Sequence, residues 1–137
     1  MIGIVLVIPG NPSGARINAA RRATIIRRKG KAIPGTRPDD GAKAWRSLAV
    51  LELRTRWSRL ARGPLVGPVT LEVHTHWPRC RRSGPASGLP MGDVDATAKA
   101  VLDALQHAGV LADDAQVKRL VLVNRYDAKR PRIEVHL

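Results

Sequence analysis

The stretch GDVDATAKAVLDALQHAGVLADD, residues 92–114, holds five of the chain's eleven acidic residues: Asp93, Asp95, Asp103, Asp113 and Asp114. Two form a DxD ahead of an apolar, helix-like segment, and two form a DD behind it. In a chain of formal net charge +13, such a cluster asks for a chemical reason. Carboxylates are hard oxygen donors and suit Mg²⁺ or Mn²⁺, which bind through a few of them plus water and phosphate oxygens. Such an ion lowers the pKa of a bound water, orients it and neutralises charge on a scissile phosphate. Lys99, four residues past Asp95, falls on the same side of the helix. There its ammonium would stabilise a pentacovalent phosphorane or a leaving oxygen.

A structural reading stands beside this one. Asp93 or Asp95 caps the helix and complements its dipole, Asp103 pairs with Lys99, and the DD lies in a solvated turn. A lone DxD is a weak signal. A DxD with a lysine at i+4, an amphipathic helix and a DD before a strand is far more specific. The geometry sets a condition. If residues 93–95 are extended, both carboxylates project to one side. A helix of about 14 residues is roughly 20 Å long, so the acidic pairs meet only if residues 109–114 lead the DD back toward the helix start.

The positioning elements follow from hydropathy. IGIVLVI (2–8) is a continuous β-branched run, as in a buried strand, and PGNPSG breaks it. The basic stretch 15–38 holds a short hairpin about RKGK. A first helix starts near Asp39 or Asp40 and runs to Gly63 and Pro64, with Trp45, Leu48, Ala49, Leu53, Trp57 and Leu60 approximating one face. PVTLEVHTHW alternates as a half-buried strand, with Val69, Leu71 and Val73 on one side and Thr70, Glu72, His74 and His76 on the other. A long Gly/Pro/Ser-rich loop follows. Ala98, Val101, Leu102, Leu105 and Ala108 give the second helix its stripe, and Gly109 ends it. QVKRLVLVNRY, a DAKRP turn and RIEVHL complete the chain as two strands. This order predicts one α/β (α+β) domain over 1–137, with two main helices on a mixed or antiparallel sheet.

Composition bounds the function. The 137 residues are 44% hydrophobic, enough for one real core. The single Cys80 excludes an internal disulfide framework. No apolar run approaches the roughly 18 residues of a membrane span, and the opening reads as a strand rather than a signal peptide, so a soluble intracellular protein is expected. The positive charge is mostly Arg, whose planar fork suits phosphate. Counterion release would drive binding to nucleic acid. The bland alternative is an Arg-rich proteome.

The sequence DVDATAKAVLDALQHAGVLADDAQV resembles the RusA family of Holliday junction resolvases, endodeoxyribonucleases common in bacteriophages and prophages. That family's pattern is DxDN, a Lys, an apolar helix ending DAL…AG, and a DD before an apolar strand. LVIPGNPSGAR is similar to the family's N-terminal strand and Pro-rich, Asn-bearing loop. The strong match covers about residues 91–120. The resemblance implies a dimeric α/β nuclease that needs Mg²⁺ or Mn²⁺ and cuts four-way DNA junctions at two symmetric phosphates in the cytoplasm of a bacterium or of a phage's host. It implies that Asp93, Asp95 and Asp114 hold the metal, that Asp113 is the neighbouring acid, and that Lys99 is the catalytic lysine. Ala96 departs from the pattern where the family has Asn, and SGPASGLPM lengthens the loop before Gly92.

Asn11, Arg16, Arg21, Arg22, Arg27, Arg28, Lys29, Lys31, Arg79, Arg81 and Arg82 are the candidate DNA contacts. The alternative for Asn11 and Ser13 is turn formation, and for the basic cluster a solvated arm. GNPSG lacks the spacing of a P-loop. His74, His76 and Cys80 fall short of the four ligands of a structural zinc site and read as a polar sheet face. Trp45 and Trp57 read as core. Two further functions stay open: a non-catalytic junction- or DNA-binding protein of the same fold, which Ala96 keeps in play, and a basic protein-interaction module.

Overall fold

The apolar run at the start of the chain forms β1 (Val5–Pro9) of a four-stranded mixed sheet ordered β1–β6–β4–β5. In the computed structural model, residues 3–16, 21–38, 40–60, 63–81 and 89–137 are described. β4 (Val69–Trp77) and β5 (Val117–Tyr126) are parallel and joined by α2 (Ala98–His107). β6 (Arg132–His136) runs antiparallel between β1 and β4. β2 (Arg21–Arg28) and β3 (Lys31–Pro38) form their own two-stranded sheet, and α1 spans Asp40–Leu60. The expected element order therefore holds, and the sheet is mixed because the α2 crossover makes a parallel pair. No helix among the described residues is long and apolar enough to cross a membrane.

Strand alternation builds the core. Leu6, Ile8, Leu71, Val73, Ile133 and Val135 face the helices and are fully buried. Trp45, Ala49, Leu53 and Trp57 meet them from α1, and Val101, Ala104 and Leu105 from α2. The α1 stripe is narrower than expected. Its buried residues repeat strictly every four positions, so Leu48 and Leu60, placed on that face from the sequence, are exposed. The start of α1 is at Asp40, while Asp39 lies outside the described residues.

The hairpin about RKGK turns on Lys29 and Gly30, both at positive φ (50° and 76°). Two consecutive left-handed residues match the right-handed twist of the flanking strands. Gly109, at φ 79° just after the Ala108 cap, ends α2 as expected. α2 has ten residues rather than about fourteen, because residues 94–97 form turns before it begins. Arg54 donates to the last carbonyl of α2, His107 O, at 2.9 Å, which suits the negative end of the helix dipole.

β4 departs from the half-buried expectation. His74, Thr75, His76 and Trp77 are all buried, so its C-terminal half is covered on both faces. At the β5–β6 turn, Asp127 Oδ1 accepts from the Lys129 and Arg130 amides at 3.1 and 3.0 Å, and its Oδ2 accepts from Arg132 at 2.9 Å. The Arg130 amide first, then Arg132, hold its carboxyl below the usual carboxylate range. A depressed folded pKa contributes stability above the unfolded-state value, and that contribution is lost as pH falls through the folded value. Asp127→Asn is therefore expected to flatten the acid limb of stability below the ordinary carboxylate range. Thermal midpoints measured from neutral to strongly acid pH check this.

Candidate active site

The DxD is gripped at both ends by the sheet. On one side, Gly92 packs against the buried ring of Trp77. A Cβ built at position 92 would lie 2.0 Å from Trp77 Cζ2, so only glycine fits. Trp77 Nε1 donates to Asn124 Oδ1 at 2.6 Å, and Asn124 Nδ2 donates to Gly92 O at 2.6 Å. On the other side, the hydroxyls of Thr97 and Thr75 hydrogen-bond at 3.0 Å, and both residues are buried. β4 and β5 thus fix residues 92 and 97, with Asp93 and Asp95 displayed between them.

The segment between is not extended. Ala96 N–H donates to Asp93 O at 3.1 Å and Ala98 N–H to Asp95 O at 3.3 Å, two successive turns. The premise of an extended DxD is therefore corrected by these turns. Neither aspartate caps α2 with its side chain, for the N-cap is Thr97 and it makes no side-chain cap bond. The structural role first available to Asp93 and Asp95 is thus not the one they fill.

The DD does turn back. Leu65 N–H donates to Val110 O at 2.8 Å, and Leu65 bridges Leu111 in parallel. Asp113 caps a 3₁₀ turn at Asp114–Gln116: its Oδ1 accepts from the Ala115 amide, while Gln116 Oε1 accepts from the Asp113 amide. Gln116 Nε2 reaches across to Leu65 O and Gly67 O at 2.8 and 3.0 Å. The D-x-x-Q spacing in DDAQ is the sequence signal of this capping box. With the turn pinned, Asp114 Oδ2 lies 3.3 Å from Lys99 Nζ, which also contacts Asp103 Oδ1 at 2.9 Å. Asp103 first, then Asp114, hold the Lys99 ammonium above the ordinary lysine range, so it stays charged throughout the neutral range.

Asp93 has its own cation. Arg81 donates to Asp93 Oδ1 at 2.8 Å. The ends of the long loop are zipped together, Arg81 N–H to Leu89 O and Met91 N–H to Arg79 O, both at 3.0 Å. The extra loop residues therefore do not carry Arg81 away from the DxD. Arg82 lies outside the described residues.

Side chains of Asp93 and Lys99 are 73% and 61% exposed, and pairs this wet contribute little to stability. Their carboxylates and cations are available for exchange. Asp93, Asp95, Asp113 and Asp114 do not bring three ligand oxygens within 4.8 Å of one another. Among the described residues only His74, His76 and Glu134 meet that closeness. The donors at the DxD and DD are all oxygen, which fits a hard dication.

Of the candidate DNA contacts, Asn11 Oδ1 accepts from the Ser13 amide and hydroxyl at 3.0 and 2.8 Å, capping a 3₁₀ turn at Pro12–Ala15. Asn11, Ser13 and Arg79 line an open cleft with Trp77, Pro78 and Met91, one residue from Gly92. Arg16 is half-buried beside that turn. Arg27, Lys29 and Lys31 are exposed on the β2–β3 hairpin, which Arg21, Arg22 and Arg28 also join.

No curated protein matches the chain. Among protein families, the model described as Endodeoxyribonuclease RusA matches residues 9–137. With the match running from the end of β1 to the last residue, the chain belongs to the RusA endodeoxyribonuclease family.

Proposed function

We propose that this chain is a metal-dependent, structure-selective DNA endonuclease that resolves four-way junctions by paired symmetric nicks, and that it acts as a homodimer. The observation that carries the reading is the 3.3 Å contact between Lys99 and Asp114, fifteen residues apart, inside the family match. It joins the lysine after the DxD to the second aspartate of the DD. Asp93, Asp95 and Asp114 would hold an Mg²⁺ or Mn²⁺ ion with Asp113 beside them, and the ion would neutralise phosphate charge and activate a water. Lys99, kept protonated by its acidic neighbours, stabilises negative charge as it develops on the phosphate oxygens. Arg81, paired to Asp93 in the free chain, would take a flanking phosphate instead. The exposed Arg27, Lys29 and Lys31, with the other basic side chains, supply salt-sensitive affinity for the backbone. A two-fold dimer presents two equal sites to a junction with two-fold symmetry.

A synthetic four-way junction incubated with the chain and Mg²⁺ is expected to yield two nicks at symmetry-related phosphates. Chelation by EDTA abolishes them, and a linear duplex of the same sequence stays intact. Ala96, where the family pattern has Asn, favours a second reading, a junction-holding protein without cleavage. That reading predicts salt-sensitive junction binding and no nicks in Mg²⁺ or Mn²⁺. Asn124, whose amide holds the Gly92 carbonyl at 2.6 Å, supports the enzymatic reading by ordering the DxD from the sheet.

A further inference from the structure

The sheet face opposite the helices carries a chemistry distinct from the DxD. The tripeptide Glu-Val-His occurs twice, at 72–74 in β4 and 134–136 in β6, and the antiparallel register lays one against the other. Glu72 faces His136, Val73 faces Val135 and His74 faces Glu134. Three of the four histidines and two of the three glutamates of the chain are thereby collected on one patch. His74, His76 and Glu134 each offer a ligand atom within 4.8 Å of the others. His76 is 94% buried, and its Nε2, with no hydrogen-bond partner, sits 3.4 Å from Glu134 Oε2. A buried polar atom left without a partner is costly unless something else satisfies it.

We propose that His74, His76 and Glu134 form a binding site for a borderline divalent transition metal of the Zn²⁺ class. Two imidazoles and one carboxylate suit such an ion, whereas Mg²⁺ prefers oxygen alone. Glu72 accepts from His74 Nε2, which leaves the Nδ1 lone pair for the metal and reproduces the carboxylate–histidine pairing that orients metal ligands. Arg125, which donates to that Nδ1 at 3.3 Å, is the group the metal displaces. Charge permits a dication: Glu72, Glu134 and Asp127 oppose Arg125 and Arg132, and Arg132 is already tied to Asp127 and Glu134. The site is independent of the nuclease reading.

The metal-stripped chain, held in excess Mg²⁺ to keep the aspartates occupied, is titrated calorimetrically with Zn²⁺. One Zn²⁺ per chain is expected, with Co²⁺ giving visible d–d bands and no thiolate charge transfer from Cys80. The site is expected to persist in Asp95→Asn. It is expected to weaken roughly 10–100-fold in Glu72→Gln, the effect of losing a carboxylate that orients a ligand, and further in His76→Gln. No stoichiometric binding would overturn the proposal. So would binding that survives His76→Gln, or that is lost in Asp95→Asn. Should His76→Gln fail to fold, the more exposed Glu72→Gln decides, and unchanged affinity there rejects the site.

Discussion

Replacing Asp95 by Asn is expected to slow single-turnover cleavage of a four-way junction by at least about 10²–10³-fold, the scale on which removing one transition-state electrostatic group acts. Junction affinity is expected to hold or rise. The two effects separate because of where Asp95 sits. Its side chain is exposed and makes no cap bond to α2, whose N-cap position is Thr97. Its backbone carbonyl, which accepts from the Ala98 amide at 3.3 Å, is unchanged in Asn. Stability should therefore move by no more than about 0.5 kcal/mol, as for most surface changes. Removing one negative charge from a chain of net charge +13 does not weaken its attraction to a polyanion. Gel-shift affinity and quenched-flow nicking with Mg²⁺, measured on the same preparation, check the split. A variant that cuts within tenfold of the parent would remove Asp95 from the proposed metal-binding set.

Gly92→Ala is expected to damage the site without touching a charged group. The new Cβ would lie 2.0, 2.3 and 2.4 Å from three ring atoms of Trp77. The ring cannot simply step aside, being 1% exposed and tied through Nε1 to Asn124 at 2.6 Å. Overpacking of this kind costs about 1–3 kcal/mol, a fall in Tm of roughly 3–12 °C for a domain of this size. The strain falls on the residue before Asp93 and on the carbonyl that Asn124 holds, so cleavage is expected to drop more than binding. Gly3→Ala, where a Cβ meets nothing within 4 Å, is the neutral control. Parental melting and nicking in Gly92→Ala would refute the grip of the sheet on the DxD.

Much of the scaffold was legible because it depends on near neighbours in the chain. The i, i+3, i+4 stripe of α2 and Gly109 after it reflect helical period and a left-handed cap. Lys29-Gly30 marked a hairpin through backbone conformation alone. RIEVHL reads as a strand from its own alternation, and in the fold its Ile133 and Val135 lie in the core. Hydropathy misplaces two pairs of residues for related reasons. Leu48 and Leu60 look core-facing by hydropathy but fall off the single row that α1 lays on the sheet. His74 and His76 look half-solvated by alternation but are buried, because alternation tells which side a residue faces and not what covers that side.

From the sequence alone came the inventory of chemistry: oxygen donors in a DxD and a DD, a lysine shortly after the DxD, a basic surface, and a resemblance that the family match confirms. Residue type and short-range spacing suffice for that. Tertiary structure decided which of these groups meet. Lys99 reaches Asp114 because Leu65 and Gln116 pin the returning segment, and Arg81 reaches Asp93 because the loop ends zip together. The two Glu-Val-His segments, sixty-two residues apart in the chain, face one another because β6 enters the sheet antiparallel to β4 in one register. A shift of one residue would send every one of those side chains to the opposite face, and register is set by the packing of the whole sheet rather than by either tripeptide.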